Sequence, residues 1–228
     1  MTTLRAAVLD IDGTLLDSNY HHSLAWARAF TAVDGGVSLW RIHRHIGMGG
    51  DRLVAAVAGD DVERRMGDHI RARWEKEYDA LIEETRLFAG ARGLLVRLRR
   101  AGLIVALASS SIPRHAQHAL DLLDADDLAD YTTTAEDVEE SKPDPELVQT
   151  VLDGVGTSAA CMIGDSTWDV YAASEAGIPT IGLCAGGYGH QELIAAGAIV
   201  VYDDVLHLTG DLDQALRLCE RSLLRPAP

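Results

Sequence analysis

Two hydrophobic periods alternate along the chain. Short, unbroken apolar runs recur at Ala6 to Asp10, Leu103 to Ala108, Ala160 to Gly164, Pro179 to Cys184 and Ala198 to Tyr202, and nearly all end in a polar or small residue. Such runs are the pattern of strands buried on both faces. Between them lie segments with apolar residues at helical spacing: Ala91 to Ala101, with Leu94, Leu95 and Leu98, then Pro113 to Leu123, Pro145 to Gly154 and Trp168 to Gly177. The alternation predicts an α/β fold, a doubly wound, Rossmann-like parallel sheet covered by helices on both faces.

One stretch departs from this rhythm. From about Asp17 to about Glu84 the pattern is almost wholly helical, over His22 to Val33, Leu39 to Ile46, Asp51 to Ala58 and a charged run from Asp60 to Glu84. The predicted organisation is a core of residues 1–16 and 86–228, with a small all-helical cap, residues 17–85, inserted after the first strand and joined by crossings near Asp17 and Leu87. There is no internal repeat or low-complexity segment, and the C-terminal Arg225-Pro226-Ala227-Pro228 is expected to fray.

Composition narrows the function classes. With 228 residues, 47% hydrophobic and 24% charged, the chain can bury a large core, and neither disorder nor a coiled coil fits. Lys+Arg number 20 against 35 Asp+Glu, a formal net charge of -15. That field repels nucleic acid and anionic membranes, so neither is expected as a partner. Cys161, Cys184 and Cys219 are odd in number and widely spaced, which argues against a disulfide framework or structural zinc and for a reducing cytoplasm. Asp10 and Asp12 interrupt the first apolar run too early for a signal peptide or a membrane span, so a soluble, cytoplasmic protein is expected.

In an open parallel sheet ligands bind beyond the carboxyl ends of the strands, and polar residues collect at those ends here. The first run leads into Asp10-Ile11-Asp12-Gly13-Thr14-Leu15-Leu16-Asp17. Carboxylates two residues apart at the exit of a buried strand point the same way and repel, so they call for a cation, a shared proton or both; solvated acids in a turn are the other reading of this segment alone. Gly13 permits a turn tight enough for backbone N–H groups to approach an anion. A calcium loop is excluded, since it needs a third oxygen ligand before its glycine and a closing Glu. Ser109, Ser110 and Ser111 offer hydroxyls and N–H groups to a phosphate, or a cap to the helix that Pro113 opens. Lys142 lies in Glu140-Ser141-Lys142-Pro143-Asp144-Pro145, where Asp144 is expected to cap a helix opened by Pro145 and the two prolines restrict the lysine. Asp165 leaves another strand and Asp169 follows one helical turn later, both able to face one point over the sheet edge.

Two acids, a hydroxyl, a lysine and two further acids thus follow one another on strand ends that converge in such a sheet. With DIDGTLLDS, ASSS, SKPDP and GDSTWD in order, the chain resembles the haloacid dehalogenase-like superfamily over essentially its whole length. The resemblance is to the branch of small-molecule phosphatases with a helical cap after the first strand, such as phosphoglycolate phosphatases and β-phosphoglucomutases. It implies a Mg2+-dependent phosphatase acting on a small-molecule phosphate monoester, a sugar phosphate or a phosphoglycolate-like compound. It implies Asp10 as the nucleophile that forms an aspartyl-phosphate, and Asp12 as the acid that protonates the leaving alcohol and then the base that deprotonates water. Mg2+ would be held by Asp10, the backbone carbonyl of Asp12, Asp165 and Asp169, the last directly or one step removed. Thr14, Ser109, Ser110 and Lys142 would bind phosphoryl oxygens. Like-charge pressure is expected to raise whichever carboxyl is not bound to metal.

Departures from the family pattern sharpen the reading. Dehalogenases of the superfamily lack the second acid of the first motif, so Asp12 argues against carbon–halogen chemistry. β-Phosphoglucomutases share residues matching His22 and Trp26, but Gly47-Met48-Gly49-Gly50-Asp51 has Gly50 where their phosphate-binding Arg lies, which favours hydrolysis. His22, Gly47, Gly49 and Gly50 are the candidate substrate residues of the cap, and its Gly-rich tip is expected to close over the catalytic face. Trp26, Trp40 and Trp74 read as cap core, and Arg41, His43, Arg44 and His45 as solvated or substrate-reading. The alternatives are a phosphomutase and a catalytically idle phosphate-binding regulatory domain, the second opposed by intact acids in the motifs. A monomer or homodimer is expected.

Overall fold

Along the chain, β1 (Ala6–Leu9) and β2 (Leu16–Asp17) lead into four helices, α1 (Asn19–Asp34), α2 (Leu39–His43), α3 (Gly50–Ala58) and α4 (Asp60–Asp79), and the chain returns through β3 (Arg86–Leu87). It then runs through α5 (Ala91–Arg100), β4 (Ile104–Ala108), α6 (Pro113–Leu123), α7 (Ala125–Leu128), β5 (Tyr131–Thr133), α8 (Glu146–Val155), β6 (Ala160–Gly164), α9 (Thr167–Glu175), β7 (Thr180–Leu183), α10 (His190–Ala196), β8 (Val200–Tyr202), α11 (Val205–Gly210) and α12 (Leu212–Leu223). This computed structural model describes residues 4–224, so the tail expected to fray lies outside the described residues.

Six strands form a parallel sheet in the order β5-β4-β1-β6-β7-β8. The chain works outward from β1 to β5, returns beside β1 at β6 and works outward the other way, which makes the carboxyl end of β1 the switch point. Leu9 pairs with Leu107 and with Ile163, so Asp10 emerges level with the ends of β4 and β6. The alternation of β1 feeds two cores. Ala6 and Val8 pack with Leu147, Val151 and Met162 on one face, while Ala7 and Leu9 pack with Leu94, Leu95 and Leu98 on the other. Each buried leucine of α5 contributes about 1.5–3 kcal/mol, and burial on both faces explains why the strand carries no polar residue.

The helices α1 to α4 pack around a cluster of their own that includes Trp26, Phe30, Ile42, Val54, Ile70, Trp74 and Tyr78. Trp40 departs from the core reading: it stands 71% exposed on α2, which turns Ile42 into the core instead. Where the chain enters and leaves these helices, β2 and β3 pair antiparallel, Leu16 with Leu87 and Asp17 with Arg86. This ribbon is too short to show a period in sequence. β5 was also hidden, an edge strand of Tyr and two Thr with no apolar run. α8 starts one residue later than expected, so Pro145 and not Asp144 stands at its N-cap; Asp144 lies one residue further out, its carboxylate accepting from the Glu146 N–H at 3.0 Å. No described helix is long and apolar enough to cross a membrane.

Candidate active site

The loop after β1 buries what lies between its acids. Ile11, Leu15 and Leu16 join the main core and are inaccessible or nearly so, while Asp10 and Asp12 line a cavity above the sheet edge. The turn closes as the Leu15 and Leu16 N–H groups donate to the Ile11 carbonyl at 2.8 and 3.0 Å, and Gly13 N–H donates to the Leu16 carbonyl at 2.8 Å. Gly13 has φ 81°, and a Cβ there would overlap Asn19 and Asp165, so both conformation and space require glycine.

Asp10, Asp165 and Asp169 each offer a carboxylate oxygen within 4.8 Å of the others, and all three are buried. Lys142, fully buried, meets them with its ammonium on Asp10 and 2.7 Å from Asp169 Oδ1. Asp169 is placed by its own helix. Ser166 caps α9, its hydroxyl accepting from the Asp169 N–H at 3.2 Å, while Asp169 Oδ2 accepts from the Ser166 N–H at 3.0 Å and the Ser166 hydroxyl at 2.7 Å. Asp165 accepts from the Thr14 hydroxyl at 2.8 Å and the Asn19 amide at 2.9 Å. We expect Ser166→Ala, which removes the cap, to cost about 1 kcal/mol and to lower the melting temperature by roughly 2–4 °C; an unchanged melting curve would show that the cap does not hold this helix start.

One lysine against three carboxylates leaves surplus negative charge in a dry place. Burial, with the charges of Asp169 and Asp165, holds the Asp10 carboxyl well above its usual range in spite of Lys142. Burial and Asp169 push Asp165 up to about 7. Burial pulls the Lys142 ammonium down, but Asp10 and Asp169 outweigh it and hold its pKa above the ordinary value.

Asp12 turns elsewhere. Its Oδ1 accepts from the Ser18 hydroxyl at 2.6 Å and lies 3.2 Å from His22 Nε2, and its Oδ2 accepts from the Ser111 hydroxyl at 2.8 Å. Burial raises this carboxyl, but His22, Ser18 and Ser111 outweigh it and hold it well below the usual range. The like-charge pressure expected from the sequence therefore falls on Asp10 and Asp165 and not on Asp12. His22 is fixed in turn by Tyr78, their ring centroids 3.8 Å apart and planes 10° apart.

The turn between α2 and α3 lies over this cluster. Gly47, with φ 100°, backs onto the start of α9, where a Cβ would stand 2.7 Å from the Ser166 hydroxyl. Gly49 N–H donates to the Ser141 hydroxyl at 3.1 Å, beside Lys142. Ion pairs lace the seam: Arg52 with Glu140 at 2.5 Å and Asp144 at 3.5 Å, Arg44 with Glu192, and Arg114 with Asp79 at 3.1 Å. His43 meets the Gly186 carbonyl at 3.0 Å, so His43 and Arg44 engage the core across the seam.

Beneath this roof is a cavity of about 50 Å³, room for about four waters. Ser110 and Ser111 line it beside Asp10 and Asp12, and His22, Gly47 and Gly50 line it from the helical side. Gly49 faces Ser141 instead. The candidate phosphate-binding hydroxyls separate: Thr14 is spent on Asp165, Ser109 accepts from the Ser111 N–H at 3.0 Å, and Ser110 Oγ is buried without a partner among the described residues.

The model of the haloacid dehalogenase-like hydrolases matches residues 4–177. The chain belongs to the haloacid dehalogenase-like hydrolase family. This hydrolase is similar to a validoxylamine A 7'-phosphate phosphatase of Streptomyces hygroscopicus subsp. limoneus, 29% identical over 193 residues that cover 78% of this chain and 85% of the relative. It is similar to a phosphoglycolate phosphatase of Vibrio cholerae, 29% identical over 219 residues that cover 90% and 95%. The crystal structure of a hydrolase from Pseudomonas syringae matches it with a TM-score of 0.86 at 31% identity, covering 92% of this chain and 98% of that one. The family and fold expected from the four motifs hold.

Some groups of the hydrolase site escaped the sequence reading. Ser18 closes the DIDGTLLDS motif, and its hydroxyl there was the available signal; Ser111, read as a phosphate hydroxyl, is instead bonded to Asp12. Asn19, on Asp165, and Trp74, at the cavity wall, had none, because α1 and α4 bring them there only through tertiary packing.

Proposed function

We propose that this hydrolase is a Mg2+-dependent phosphatase that cleaves a small-molecule phosphate monoester through an aspartyl-phosphate on Asp10. The division of the four acids is the observation that supports it: three carboxylates crowd around one lysine, and the fourth is held apart by His22, Ser18 and Ser111 at the same cavity. The three buried carboxylates fit a hard divalent cation, whose charge would relieve the repulsion that raises Asp10 and Asp165. Asp10, Asp165, Asp169 and the backbone carbonyl of Asp12 would hold Mg2+, which when bound supplies positive charge to the phosphoryl group.

The chain's own groups account for the two steps. A carboxylate oxygen of Asp10 forms a bond to phosphorus as the bond from phosphorus to the ester oxygen breaks, and Asp12 gives that oxygen a proton. Asp12 is ionised in the protein alone; it takes this proton from the substrate's monoanionic phosphoryl group as that group binds, and the phosphoryl charge beside it raises its hold on the proton. Water then bonds to phosphorus and gives a proton to Asp12, the Asp10 bond breaks, and inorganic phosphate leaves as Asp12 releases that proton to solvent. Lys142, on Asp10, and the unpartnered Ser110 hydroxyl are placed to hold phosphoryl oxygens.

In this reading residues 17–85 act as a cap on a core of residues 1–16 and 86–228, moving about the β2–β3 ribbon to admit substrate and exclude water. All the groups invoked come from one chain, and the reaction calls for neither nucleic acid nor membrane. A mutase must hold a second phosphate across the chamber, and the described residues lining the cavity include no Arg or Lys, which favours hydrolysis. Protein with Mg2+ is expected to release inorganic phosphate from a panel of phosphate esters and to stop in EDTA. Sugar phosphate isomerised without free phosphate would return the mutase, and beryllofluoride binding without turnover of any ester the idle domain.

A further inference from the structure

Beyond His22, which is held on Asp12, the cap side of the chamber is aromatic and apolar. Trp26 and Trp74 stack there with ring centroids 4.8 Å apart and planes 11° apart, next to Met48. Trp74 is 8% exposed, and its indole Nε1–H is buried with no acceptor among the described residues. Buried Trp N–H groups normally find a partner because leaving one unpaired is costly. At a cavity wall, the missing acceptor can be a ligand atom.

The wall also offers no free cation to a second anion. Among the described residues no Arg or Lys lines it, His22 is held on Asp12, and Lys142 is spent on Asp10 and Asp169. Arg71, whose guanidinium reaches the Gly50 carbonyl at 3.2 Å, is closed off by Glu63 at 2.8 and 3.0 Å and Asp68 at 2.8 Å. With the phosphoryl group over Asp10, the rest of the substrate has this wall to lie against. A carboxylate there would be buried beside acids with no cation of its own, whereas a hydroxyl accepts from the indole and needs no counter-charge.

From this wall we infer that Trp74 sets substrate choice: its N–H donates to an uncharged oxygen of the leaving group, and the substrate is the monophosphate of a neutral, hydroxylated compound. A leaving group that carries a carboxylate, such as glycolate, is disfavoured. The inference rests on the phosphatase reading and adds the leaving group to it.

The test compares kcat/KM with Mg2+ for glycerol phosphate, glucose 6-phosphate, phosphoglycolate and phenyl phosphate, in the unaltered protein and in Trp74→Phe. The unaltered protein is expected to prefer a hydroxylated ester to phosphoglycolate by tenfold or more. Trp74→Phe keeps the ring and loses the donor. Its loss on the preferred hydroxylated ester is expected to be about five- to tenfold larger than its loss on phenyl phosphate, which has no further oxygen on its leaving group. A packing role alone would lower both alike. Phosphoglycolate turned over as well as the hydroxylated esters, or equal losses in the variant, overturns the inference and leaves the phosphatase reading standing. Turnover of none of the four overturns both. The preference of the unaltered protein decides the question even if the variant does not fold.

Discussion

Asp10→Asn is expected to lower kcat by roughly 10⁴-fold or more without loss of fold. An amide occupies the same space but is a poor nucleophile, and no other acid can take over. Asp165 is tied to Thr14 and Asn19, Asp169 to the cap of α9, and Asp12 to Ser18, His22 and Ser111. The stability argument runs opposite to the usual one for a buried ion pair. Removing the Asp10 charge leaves Lys142 paired with Asp169 and relieves a carboxyl that burial and its acidic neighbours already hold well above the usual range. In EDTA the variant should therefore melt at the same temperature as the unaltered protein or higher. Phosphate release measured beside thermal melts separates the outcomes. A fall of less than about 100-fold in kcat would mean another nucleophile, and a melting temperature several degrees lower would mean that the activity loss is structural.

What the sequence shows of this site depends on how local each residue's placement is. Asp10, Lys142, Asp165 and Asp169 are each set by a strand end or a helix start, and short-range rules suffice to bring them to one edge. The partners of Asp12 are not local. Its carboxylate turns away from the other acids because α1 carries His22 toward it and the loop after β4 carries Ser111, so the charge crowding lands on Asp10 and Asp165 instead. Thr14, Ser109, Ser110 and Ser111 look alike as letters, and only the turn geometry decides which hydroxyl is spent on Asp165, which on a backbone N–H, which on Asp12 and which is left free. The tryptophans show the same limit. Trp40 and Trp74 both sit in helical patterns, yet one is exposed on a single short helix and the other is buried at the chamber where α1 packs on α4. The net charge of -15 likewise says nothing of the local balance, where one buried lysine faces three carboxylates.

That balance makes Lys142→Met the most destabilising single change expected in the core. Methionine fills similar space but leaves Asp10, Asp165 and Asp169 buried without a cation. Breaking a buried pair in this way costs about 3–5 kcal/mol, a drop of about 10 °C in melting temperature for a chain of this length. The deficit should depend on pH in a definite direction. Asp10 and Asp165 are raised in the folded protein, Asp165 up to about 7, and lose their protons near the ordinary carboxylate value when unfolded. Between those values the folded state binds more protons than the unfolded one, so stability falls as pH rises. Removing Lys142 raises both carboxyls further and steepens that fall. The lysine's own titration does not enter, because its folded pKa is raised and its contribution is fully present below its unfolded value of about 10.4. In EDTA the variant should thus lie close to the unaltered protein near pH 5 and well below it at pH 8, and Mg2+ should recover part of the difference by supplying the missing positive charge. Activity should fall by about 10²–10³-fold even with saturating Mg2+ if, as proposed, the lysine also holds phosphoryl oxygens. Thermal melts from pH 5 to 8, with EDTA and with Mg2+, carry the test. A deficit that stays constant across that range, or that shrinks as pH rises, would mean that the acids are not crowded as the geometry requires.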